Sequence, residues 1–87
     1  MVIYKYELSK PVNEFEFEKD ARIISVTEQN KKIVMYVLHI EPKDKRKEKK
    51  KIAVIQTGHD FDFAVTRFLG TVGLRDGEFV VHIFEAL

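Results

Sequence analysis

The residues best suited to chemistry stand together at Gln56-Thr57-Gly58-His59-Asp60, between the apolar run Ile52-Ala53-Val54-Ile55 and a phenylalanine-dense run from Phe61 to Phe68. Glycine lets backbone amides point outward, a threonine hydroxyl donates, and a protonated imidazole meets an anion. Thr57, Gly58 and His59, with an aromatic such as Tyr4, are therefore the expected ligand-binding residues. The plainer reading is a strand-exit turn, with Gly58 at positive φ and Thr57 satisfying backbone groups. Catalysis asks for more. Asp60 and Asp62 beside His59 would suit a general acid and base, but a loop aspartate ordinarily caps a turn. The chain has no Gly-x-Ser-x-Gly elbow, no cysteine nucleophile and no glycine-rich phosphate loop with lysine. A non-enzymatic protein is expected.

The histidines His39, His59 and His82 fit no standard metal-ligand spacing, and two of them lie in apolar runs. Hydrogen-bonded core or sheet-face histidines are expected, with no metal and no cofactor. The chain has no cysteine, which removes disulfides and thiolate metal sites as sources of stability.

Charge is unevenly spread. Residues 43 to 51 read KDKRKEKKK, seven basic and two acidic residues for +5; with +1 on the whole chain, the remainder carries −4. Phosphate contacts need only lysine and arginine at close spacing, so nucleic-acid contact through this segment is one expectation. No aromatic interleaves the lysines to stack on bases, and the acidic body would repel a duplex. A solvated hairpin tip is the plain alternative. The expected partner-binding residues are Lys43, Lys45, Arg46, Lys47, Lys49 and Lys50, with Glu14, Glu16 and Glu18 as an acidic counterpart. A second copy, basic loop against the Glu14–Asp20 edge, is one such partner.

The elements that must position these groups read as strands. Tyr4 and Tyr6 alternate with Lys5 and Glu7 until Pro11; Glu14 to Glu18 alternates carboxylates with phenylalanines. Further strands are predicted over 22–28, 32–40, 51–57, 67–74 and 78–85, with hairpin turns at 29–31 and 75–77, where Asn30 and Gly77 tolerate a positive φ. Residues 60–66 fit either a loop or one helical turn, and the glycines of the 67–74 strand point to a bulge or a close backbone approach. Eighty-seven residues make a single domain over 1–87. The expected fold is all-β: a small antiparallel sheet folded into a barrel or sandwich of about seven strands, with an exposed, mobile lysine-rich loop at 43–51. The 32–40 and 78–85 strands are apolar on both faces, more than a chain of this size is expected to cover, which predicts a homodimer or higher oligomer. No run approaches the ~18 apolar residues of a membrane span, and no signal peptide is legible, so a cytoplasmic protein without membrane contact is expected.

Five short blocks in order carry a resemblance: Ile3-Tyr4-Lys5-Tyr6, Ala21-Arg22-Ile23, Thr57-Gly58-His59, Phe68-Leu69-Gly70-Thr71-Val72 and Phe79-Val80-Val81-His82-Ile83-Phe84-Glu85. Together they resemble a family of short uncharacterised proteins of tailed phages and prophages, with the lysine-rich segment as a local variant. The resemblance marks Tyr4, Tyr6, Thr57, Gly58, His59, Gly70, His82 and Glu85 as recurrent positions. It implies a phage-encoded binding protein in the host bacterium's cytoplasm, inhibiting an antiviral defence factor, for example a CRISPR effector, by direct protein contact. The alternatives it leaves are an oligomeric sponge for a nucleotide immune signal and a structural accessory protein of the phage.

Overall fold

The computed structural model describes residues 1–40 and 46–87. It is all-β, with seven strands: β1 Val2–Glu7, β2 Val12–Glu18, β3 Arg22–Gln29, β4 Lys32–His39, β5 Lys47–Gln56, β6 Val65–Leu74 and β7 Phe79–Ala86. They form two antiparallel sheets, ordered β1-β4-β3 and β2-β5-β7-β6. Of the two predicted closures, barrel and sandwich, the chain takes the sandwich.

Two tight hairpins organise it. Asn30 and Lys31, at φ 53° and 66°, close β3 onto β4 with Gln29 paired to Lys32, the two-residue loop whose twist matches the strands. Arg75, Asp76 and Gly77 all have positive φ in the β6–β7 turn. The β1–β2 connection is held by Asn13, whose carboxamide accepts from the Lys10 N–H at 3.1 Å and donates to the carbonyls of Lys10 at 2.7 Å and Ile52 at 3.2 Å. Asn13 is the buried polar residue among the described residues, and these bonds offset its desolvation.

The core lies between the sheets and is built on the alternate positions that face inward. Met35 and Val37 of β4 meet Ile52 of β5 and Ile83 of β7, all fully buried, with Leu8, Phe17, Val72 and Val81 around them. The sandwich is pinched shut along β3 and β6. A Cβ built on Gly70 would stand 2.6 Å from Val26 Cγ2, so only glycine allows this approach. Gly70 also ends a register shift in the β6–β7 ladder, in line with the bulge or close approach predicted there.

One expectation is corrected. Residues 47–51 are not loop: they are the first half of β5, paired along β2 with Glu18 opposite Lys47, Glu16 opposite Lys49 and Glu14 opposite Lys51. Each such cross-strand pair of opposite charges contributes about 0.2–1 kcal/mol, which offsets the poor strand propensity of lysine. Arg46 precedes the strand and is exposed; Lys43 and Lys45 lie outside the described residues. The outward apolar faces are covered in part. Val34, Ala53 and Ile55 are buried within the single chain although they stand outside the inter-sheet cluster.

Candidate functional site

The Gln56–Asp60 stretch is where β5 leaves its sheet. The Gln56 carbonyl accepts from the His59 N–H at 3.1 Å, closing a four-residue turn, and Gly58 sits at its third position with φ 86°. That is the type II arrangement, which asks for glycine there. Thr57 stays tied to β7: its N–H and its hydroxyl both reach the Val80 carbonyl, at 3.0 and 3.2 Å. With that hydroxyl proton on Val80, the Thr57 oxygen accepts from His82 Nε2 at 2.8 Å. His82 Nδ1 then accepts from the Thr71 hydroxyl at 3.0 Å, so the neutral ring carries its proton on Nε2. Thr57, His82 and Thr71 thus form a hydrogen-bonded row across β5, β7 and β6 on the outer face. They brace the corner.

Strand order sets the path of the chain beyond this corner. β7 lies between β5 and β6, so the 57–64 connection must cross two strand spacings, roughly 10 Å, instead of turning back as a hairpin. It does so as irregular chain with no helical turn. Between this segment and the Leu8–Pro11 connection lies a cavity of about 380 Å³. Leu8, Ile33, Val54 and Val81 make its floor, Lys10, His59 and Asp60 its polar rim, and Phe61 and Phe63 its aromatic side. The two phenylalanine rings are 5.3 Å apart, and Phe61 is 47% exposed.

Of the predicted ligand-binding residues, His59 lines this cavity; Thr57 and Gly58 shape the turn beside it. Tyr4 is placed elsewhere. β2 runs antiparallel to β5 from Val12, opposite Ala53, to Glu18, opposite Lys47, so the corner and Glu18 are at opposite ends of the sandwich. Tyr4 belongs to the Glu18 end, its ring 5.4 Å from the His39 ring. One chain therefore does not gather Thr57, His59 and Tyr4 into one pocket. The predicted partner-binding carboxylates and lysines are likewise not two separate surfaces, since Glu14, Glu16 and Glu18 face Lys51, Lys49 and Lys47 on neighbouring strands. Lys50 is half-buried, paired opposite Phe15, with its amine 3.9 Å from Glu48.

At the Glu18 end stands a network that single-residue reading of the sequence did not assemble. His39 Nδ1 lies 2.7 Å from Glu18 Oε1, and its Nε2 lies 2.8 Å from the Tyr6 hydroxyl. Phe15 and Phe17 stack at 5.4 Å and wall it in with the Tyr6 ring. The Glu18 carboxyl is held below the ordinary carboxylate range, first by its own backbone N–H and then by His39 and Lys47. Tyr6 is pushed above the ordinary phenol range by burial, and further by the charge of Glu18. A phenol so shifted keeps its proton at neutral pH and is a hydrogen-bonding partner of His39, not a base. The three histidines are spread over three places, and among the described residues no group of three His, Cys, Asp or Glu side chains stands together to hold a metal. No described helix is long and apolar enough to cross a membrane.

No curated protein and no solved structure matches the chain. Over residues 1–87 the chain matches the family described as a domain of unknown function, DUF7352, and it belongs to that family.

Proposed function

We propose that this protein is a non-enzymatic binding module whose contact site is the cavity at the β5–β6 corner. The observation that carries the reading is the combination of an apolar floor, a charged rim and the half-exposed Phe61 at one open end of a rigid sandwich. A cavity of about 380 Å³ is near the small end of ligand pockets and suits one bulky apolar side chain from a protein partner, ringed by polar contacts. At this corner the absence of an oriented acid–base pair supports binding over turnover. Among the described residues, the His59 imidazole and the Asp60 carboxylate make no side-chain hydrogen bond, whereas a catalytic base is ordinarily aimed by a third group. The resemblance to short phage and prophage proteins is what supports a cytoplasmic bacterial defence factor as the class of partner, inhibited by direct contact.

The test is a pulldown from phage-infected cells with the natural protein and with Phe61→Ala, both checked for unchanged melting. A host protein retained by the natural chain and depleted at least tenfold with Phe61→Ala supports the reading. Equal retention by both removes the cavity from it. A large thermal shift with cyclic or ADP-ribose-type nucleotides, with no protein retained, would favour a nucleotide sponge instead.

A further inference from the structure

We infer that β1 is the seam of a symmetric dimer, pairing antiparallel with β1 of a second copy about a two-fold axis through Tyr4. The sandwich has four sheet-edge strands, β1 and β3 in one sheet and β2 and β6 in the other. β3 and β6 close against each other at Val26 and Gly70. β2 is guarded by charge. The Val54 N–H bonds the Pro11 carbonyl, so odd-numbered β2 residues face β5 and the unpaired backbone groups belong to Val12, Glu14, Glu16 and Glu18. β1 carries charge only on its second half, at Lys5 and at Glu7, which is paired with Lys32 at 3.2 Å; its first half, Val2 to Tyr4, has none.

The Leu8 N–H bonds the Ile33 carbonyl, which continues the β1–β4 register and assigns the even-numbered residues of β1 to that ladder. The backbone N–H and C=O groups of Ile3, Lys5 and Glu7 therefore point away from the sheet. The side chains along the first half of this edge are apolar and open: Val2 is 43% exposed, Ile3 54% and Tyr4 55%; Lys5 and Glu7 beyond them are exposed and charged. A regular edge with an open apolar stretch of this kind is a template for another strand.

Its own sequence selects a second copy and a register. About an axis through Tyr4, Ile3 and Lys5 of opposite copies exchange four backbone hydrogen bonds, and the aliphatic stem of Lys5 lies over the exposed Ile3 of the other copy. Val2 meets Tyr6, and the two Tyr4 rings face each other as the close, non-hydrogen-bonded pair. An axis through Lys5 would instead set two ammonium groups directly opposite. The pairing is isologous and uses up both open edges, so it closes as a dimer and does not propagate. It also covers Tyr4, which flanks His39, and so seals the Glu18–His39–Tyr6 network from that side. This inference does not rest on the binding role of the corner cavity.

Sedimentation velocity over a concentration series tests it. The natural chain is expected to be a dimer and Lys5→Pro a monomer with the same circular dichroism spectrum, because proline at Lys5 removes a donor that serves only the free edge. A natural chain that stays monomeric, or a Lys5→Pro variant that still dimerises, overturns the inference. Should Lys5→Pro fail to fold, cysteine cross-linking decides in a chain that has no cysteine of its own. Paired Tyr4 positions would be about 4.5 Å apart at Cα, inside disulfide reach, whereas paired Lys5 positions would lie beyond the ~7 Å limit. Tyr4→Cys is expected to give a covalent dimer under mild oxidation and Lys5→Cys none; the reverse, or no cross-link from either, overturns it.

Discussion

His39 Nδ1 and Glu18 Oε1, 2.7 Å apart, join the two sheets at one end of the sandwich, on side chains only 14% and 17% exposed. Because the Glu18 carboxyl is held below its ordinary range, its ionised form is favoured by folding. The stability this contributes is fully present above the unfolded glutamate range of about 4.3 and is lost as pH falls through the lower folded value. Thermal melts between pH 6 and 3 should show the natural chain losing stability on acidification more steeply than Glu18→Gln. At neutral pH the variant should be less stable by about 1.5–3 kcal/mol, the scale of one charge-assisted hydrogen bond. Parallel melting curves for the two proteins across the acid range would contradict this.

Asn13→Ala removes three hydrogen bonds at once and leaves the Lys10 N–H and the Ile52 carbonyl without their side-chain partner. The expected loss is about 2–3 kcal/mol, measured as a lower urea midpoint with an unchanged slope. Asn13→Asp should recover only part of it, since a carboxylate keeps the Lys10 N–H bond and loses both donated ones.

Gly70→Ala forces a methyl into the space of Val26 Cγ2. A loss of about 1–3 kcal/mol is expected, as for other overpacked sites. Val26→Ala removes the obstructing methyl, so the double variant should lose less than the sum of the two single losses. Additivity in that cycle would show that the contact at Gly70 is not what constrains the site.

Lys31 holds φ at 66° without being a glycine. Lys31→Gly gives the β3–β4 hairpin the Asn-Gly pair that type I′ turns favour. The expected gain is about 0.5–1 kcal/mol, seen as a higher melting temperature.

What was legible in the sequence was local. Alternation and β-branched runs gave all seven strands, and Asn30, Gly58 and Gly77 marked turns that the structure places at those residues. The lysine-rich half of β5 was hidden because its strand character comes from Glu14, Glu16 and Glu18 across the ladder, distant in sequence, against its own composition. Glu18, His39 and Tyr6 each looked like an ordinary sheet residue, on three different strands; the β1–β4 pairing sets Tyr6 near His39, and only the packing of the other sheet adds Glu18. The cavity was half visible. His59 stood out by type, but Leu8 and Lys10 meet it only through strand order, and the paired Phe61 and Phe63 read equally well as core.

That strand order has a consequence for how the protein can diversify. Among the described residues, 60 to 63 make no backbone hydrogen bond to the rest of the chain, while β5 and β6 on either side are laddered to β7. The span is required to bridge β7, yet apart from the Phe61–Phe63 ring pair its side chains are largely exposed. On the binding role proposed for the cavity, substitutions there would alter what it accepts at little cost to stability, so recognition at this corner could drift while the sandwich beneath it stays the same.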